Sequence, residues 1–159
     1  MEQTGRMRNI LMSKNKMGRF EKLKNLSGVE VMALIKILVL ALTVPPARKV
    51  MRIETIVRIL TYRTKASRSP LDEKMIVRLI DAVLSRLRGP WAKNCVTRSI
   101  ILCRLLKEAG IDSSIHIGVC EYQDTYRGHA WVESHGLPIG EPQDTKVYGL
   151  HSYPTNSEV

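Results

Sequence analysis

The hydrophobic period of this chain changes once, after Trp91, and that switch constrains the fold more than any other feature. Before it, apolar residues recur at helical spacing; after it, one further helical stretch gives way to segments that alternate every second residue. Helices followed by strands close together in sequence argue for an α+β domain with a small antiparallel sheet, not for alternating βαβ units. At 159 residues the chain is most simply one domain, able to bury about two-thirds of its unfolded surface without disulfide or metal support.

Three regions follow from the pattern. Residues 1–28 carry Arg6, Arg8, Lys14, Lys16, Arg19, Lys22 and Lys24 with no sustained apolar period, and read as a basic mobile arm. Residues 29–90 read as a helical subdomain. Its first element, Val29 to Val44, is apolar apart from Glu30 and Lys36 and is expected to end at Pro45-Pro46. A membrane span needs roughly 20 apolar residues, and this run has 16, so a core helix is the better reading. Peripheral membrane contact is the alternative, because a basic arm adjoins an apolar helix. A second helix is expected over Ala47 to Arg63, with Val50, Ile53, Val57 and Leu60 inward. The third is capped by Ser69, opened by Pro70, favoured by Asp72 in its first turn and stopped by Gly89-Pro90; its stripe runs from Met75 to Leu87.

Residues 91–159 read as the core of the molecule. CVTRSIILCRLLKEAGI is helical, with Gly110 at its C-cap and Ile111 just beyond. SSIHIGVC and GHAWVES are strands, EYQDTYR between them a loop, and SHGLP a turn into a short strand near Ile139.

Charge divides along the same line. Residues 1–94 hold 20 Lys+Arg and 7 Asp+Glu, giving +13, whereas residues 95–159 hold 5 and 8, giving −3. A basic half suits an anionic surface or an acidic partner, or is simply a set of solvated helix faces. With one Phe and two Trp, and no motif that interleaves aromatic and basic residues, a nucleic-acid module is not indicated. Neither phosphate-cradling glycine loop is present, and the Cys and His residues lack the close-paired spacing of zinc sites, so no metal or other cofactor is expected. Three cysteines, an odd count, and no signal-peptide pattern fit free thiols in a reducing cytosol.

The chemistry centres on Cys95 and His129. Cys95 stands at a helix start, where free N–H groups and the helix dipole favour a thiolate; His129 opens an alternating run 34 residues later. On a strand, His129, Trp131 and Glu133 share one face, so His129 can reach the helix end and Trp131 can wall off water. A Cys-His pair needs a third group to orient the imidazole. A hairpin turning at His135 to Pro138 brings Glu141 back beside His129, and Asp144 is the next candidate. Cys103, mid-helix among Ile101, Leu102, Leu105 and Leu106, is an inert core thiol. His116 is expected to face solvent, and His135 and His151 to lie in a turn and a patternless tail.

From Cys95 through Glu141 the chain resembles the transglutaminase-like cysteine protease of lasso-peptide biosynthesis, the stand-alone leader peptidase similar to the C-terminal domain of microcin-processing proteins. The resemblance is carried by Cys95, Arg98-Ser99, Gly110-Ile111, Gly118-Val119 and His129 to Glu133. It implies a papain-like core with Cys95 as nucleophile, His129 as general base and acid, and Glu141 as orienting acid, where the family more commonly has Asp. It also implies partners: a lasso precursor peptide, a leader-binding recognition protein and an ATP-dependent cyclase. The expected function is removal of the leader before macrolactam formation, in the cytoplasm or at its membrane. The alternatives are a Cys/His acyltransferase and a non-catalytic basic module that docks a peptide or membrane.

Overall fold

The computed structural model describes residues 27–62, 71–92, 94–122, 125–142 and 145–153. The basic arm, apart from its last two residues, and the Ser69-Pro70 helix start lie outside them, as does Asp144. Among the described residues are four α-helices and a four-stranded antiparallel sheet, an α+β arrangement.

Helix α1 spans Gly28–Val50 and opens with a capping box: Ser27 Oγ accepts from Glu30 N at 3.3 Å and Glu30 Oε2 accepts from Ser27 N at 2.7 Å. It does not stop at Pro45-Pro46. Proline's φ is already helical, and its damage comes from the missing N–H, which orphans the carbonyl four residues back. Pro46 orphans Leu42, and Trp91 Nε1 donates to that carbonyl at 3.2 Å from across the fold. The helix therefore continues until Met51 N closes onto Ala47 O at 2.9 Å. This corrects the second helix as well. α2 is Ile53–Tyr62, with Ile56 and Val57 buried. Val50, expected to point inward, belongs to the end of α1 and is 83% exposed.

α3 spans Glu73–Leu84 and buries Ile76, Leu79, Ile80 and Leu84. Asp72 is its cap, not a first-turn residue, with Oδ1 accepting from Met75 N at 2.7 Å. A 3₁₀ turn at Gly89–Trp91 leads into α4, Cys95–Glu108. This central helix buries Ile100, Ile101, Leu102, Cys103 and Leu106 completely. Gly110, at φ +80°, reverses the chain in a Schellman closure, with Ile111 N on Leu106 O at 2.9 Å and Gly110 N on Lys107 O at 3.0 Å.

The strands β1 (Ser114–Tyr122), β2 (Thr125–Ser134), β3 (Leu137–Pro138) and β4 (Lys146–Tyr153) lie in the order β3-β2-β1-β4. The expected EYQDTYR loop is mostly ladder, since β1 and β2 pair as far as Tyr122 and Thr125. β4 was not expected. It is an edge strand, exposed over most of its length, so no burial imposes alternation on its sequence. Its pairing with β1 shifts at Ile117/Gly118, and any Cβ at Gly118 would collide with the Tyr148 carbonyl. One hydrophobic cluster runs from Ala33 on α1 through α2, α3 and α4 to Ile115, Val132 and Ile139.

Candidate active site

Cys95 is the first residue of α4, and Asn94 caps the helix before it. Asn94 Oδ1 accepts from Val96 N at 3.1 Å and Thr97 N at 3.4 Å, and from Arg48 Nη1 of α1 at 2.9 Å. The Cys95 N–H is not among the donors the cap takes up.

A buried contact sets the register of helix on strand. Ser99 lies one turn beyond Cys95, Ala130 just after His129, and Ser99 Oγ donates to Ala130 O at 2.9 Å. This brings the half-buried Cys95 thiol into hydrogen-bonding reach of His129. His129 Nε2 pairs with Glu141 Oε2 at 2.9 Å, which leaves Nδ1 for the sulfur. The imidazole lies nearly parallel to the Trp131 ring, 6.2 Å between centroids and 11° apart. Trp131 Nε1 in turn donates to Glu133 Oε1 at 2.7 Å.

Glu141 is itself held from behind. Its Oε1 accepts from Arg98 Nη1 at 3.2 Å, while Arg98 Nε and Nη2 grip Asp81 on α3 at 3.0 and 3.3 Å. Nη2 also donates to Gly140 O at 2.9 Å. Gly140 sits at φ +68°, where a Cβ would meet Arg98 Nη2 at 2.8 Å and Val77 Cγ1 at 2.9 Å. Only glycine fits both the backbone and the space.

The electrostatics follow from this geometry. The hydrogen bond from His129 lowers the Cys95 pKa against an opposing push from burial, and the Ala130 and Val96 backbone groups help. The His129 pKa rises from 6.5 to about 10, first through its bond to Cys95 and then through Glu141. The arrangement favours thiolate and imidazolium side by side. Cys103 behaves oppositely: burial pushes its thiol up to about 11.

Cys95, His129 and Glu141 are thus brought together, and Asp144 lies outside the described residues. His116 is not the solvent-facing residue expected. It stacks on Trp131 at 5.7 Å, as His129 does, and its Nε2 contacts Ser114 Oγ at 2.9 Å and Glu133 Oε2 at 3.4 Å. His116 pairs across the ladder with Trp131, which is 1% exposed, so it lies on the site face and is half-buried there. His135 is exposed in the turn at φ 50°, and His151 lies on β4 against Tyr153. Arg98 and Asp81 went unassigned by sequence reasoning. The available signal was Arg98 among the buried positions of α4; Asp81 lies beside the apolar stripe of α3 and carried none. Among the described residues no group of three or more His, Cys, Asp or Glu is placed to hold a metal ion.

Residues 40–150 match the profile of the transglutaminase-like superfamily. The chain belongs to that superfamily. The match begins within α1 and ends in β4, so the transglutaminase-like region includes the helices that support Cys95 and the edge strand beyond His129. No curated protein and no solved structure is significantly similar to the chain.

Proposed function

We propose that this transglutaminase-like protein is a cysteine endopeptidase that removes the leader from a lasso precursor peptide before macrolactam formation. The observation that carries the reading is the placement of the Cys95 thiol, at a helix start, within reach of a His129 imidazole that Glu141 holds at 2.9 Å. The motif resemblance from Cys95 to Glu141 supplies the substrate class.

The Cys95 thiolate adds to the scissile carbonyl, and the Cys95 backbone N–H steadies the oxyanion. The His129 imidazolium gives its proton to the departing amine, releasing the core peptide and leaving the leader as a thioester. Neutral His129 then takes a proton from water, which hydrolyses the thioester and frees the leader carboxylate. Glu141 keeps the imidazole oriented and stabilises its charged form through both steps. A leader-binding recognition protein delivers the precursor, and an ATP-dependent cyclase uses the new amino terminus. Three free thiols suit a reducing cytoplasm.

An acyltransferase would share the thioester and differ only in the acceptor, an amine instead of water. Mass spectrometry of a lasso precursor incubated with the chain, with and without the recognition protein, separates the readings. A leader fragment bearing a new carboxyl terminus, labelled in H₂¹⁸O and absent with Cys95→Ala, is the expected result. A leader amide would assign the acyltransferase; an intact precursor under both conditions, with full biological function retained by Cys95→Ala, would leave a docking module.

A further inference from the structure

Helix α1 has two apolar faces and only one of them enters the core. Ala33, Ile37, Ala41 and Val44 are buried. Opposite them, Val31, Met32, Ile35, Leu38, Val39 and Leu42 form a stripe, with Met32 57%, Ile35 52% and Val39 53% exposed. No charge interrupts it, because Lys36 turns aside to pair with Glu108 at 2.8 Å. Only Ala33, Ile37, Ala41 and Val44 of α1 are buried, and the rest of the helix is partly or wholly exposed. A continuous exposed apolar strip of this kind marks an interaction surface.

Charge indicates what covers it. Lys49 and Arg52 are exposed at the end of the strip. Residues 1–52 hold 11 Lys+Arg and 3 Asp+Glu, and Glu30, the acid within α1, is engaged in the cap. A second copy would set two positive rims against each other. An anionic bilayer offers hydrocarbon to the strip and headgroup charge to the rim. A spanning orientation does not fit: the opposite face of α1 is core, and Lys36–Glu108, Arg48–Asn94 and Trp91–Leu42 fasten the helix to the rest of the fold.

We propose that α1 is an interfacial helix that lays the protein on an anionic lipid surface, with Ile35 and its neighbours among the acyl chains and Lys49 and Arg52 at the headgroups. The net charge of −3 on residues 95–159 turns the sheet away from the lipid. The proposal is independent of the reaction catalysed.

The test is sedimentation of the full chain with vesicles of phosphatidylcholine alone and of phosphatidylcholine containing one quarter phosphatidylglycerol. Binding should be at least about tenfold tighter to the anionic vesicles at low salt and should fall as salt rises. Ile35→Gln/Leu38→Gln/Leu42→Gln, all at exposed positions, should abolish it, and Lys49→Glu/Arg52→Glu should weaken binding to anionic vesicles only. Equal affinity for both vesicles, no binding to either, or a folded triple variant that still sediments with lipid would overturn the proposal. A dimer dispersed by the triple variant would assign the strip to a second copy instead. The wild-type lipid and salt comparisons decide the matter even if the triple variant fails to fold.

Discussion

Cys95 and Cys103 lie on one helix yet differ in everything that governs thiol reactivity. Imidazole and backbone groups draw the first thiol down, while burial pushes the second up to about 11. Brief iodoacetamide treatment near neutral pH should therefore alkylate Cys95 first, as peptide mapping would show; earlier modification of Cys103 would refute the assignment. On the proposed mechanism, Cys95 and His129 together set the pH range of activity. The competent state holds thiolate and imidazolium together, so turnover should rise as pH climbs through the lowered Cys95 pKa and fall as His129 loses its proton at about 10. Glu141→Gln removes a charge that raises His129, so its alkaline limb should move to lower pH. Turnover should also fall by orders of magnitude, about 10⁴-fold where an orienting carboxylate is lost in other enzymes. Cys95 and His129 could be singled out in the sequence because a helix start and an alternating strand follow local rules, whereas Glu141 rested on a hairpin register that left Asp144 as the alternative. Arg98 and Asp81 were not assigned, because their partners come from another helix and from a loop 43 residues away.

At the scale of elements, the Arg98 cluster joins α3, α4 and the segment after β3 around a guanidinium that is 8% exposed. Lysine preserves its charge but not the planar fork that meets Asp81, Glu141 and Gly140 together. Arg98→Lys should lower the melting temperature, by a loss of up to about 3–5 kcal/mol if a carboxylate is left buried and unpaired. It should also depress kcat more than KM, since Glu141 loses its anchor without any contact to substrate being removed. Unchanged kcat in a destabilised variant would confine Arg98 to a structural role. Helices α3 and α4 were readable because their caps and stripes are local. The continuation of α1 through two prolines was hidden, since the donor that makes it tolerable, Trp91, lies 49 residues away. β4 was hidden because its pairing is with β1 and its own sequence carries no burial pattern.

For the molecule as a whole, the hydrophobic cluster is continuous from α1 to the sheet, so helical and sheet halves should unfold together. Far-UV circular dichroism and tryptophan fluorescence should give coincident thermal transitions. Leu106→Ala, at a completely buried position on α4, should lower both by the same about 2–5 kcal/mol. Separate transitions would show two cooperative units.

The stack of His129 on Trp131 converts a protonation state into an optical signal. A charged imidazole in contact with an indole accepts its excited electron and darkens its emission, whereas a neutral imidazole does so poorly. In a Trp91→Phe/His116→Gln background, with Trp131 as the sole indole facing a single imidazole, fluorescence should brighten as pH passes about 10. Tyr148 and Tyr153 ionise above the usual tyrosine range, and adding Glu141→Gln should shift the brightening downward, which no tyrosine titration would mimic. The charge on His129 can then be followed by its neighbour's light, with no substrate present.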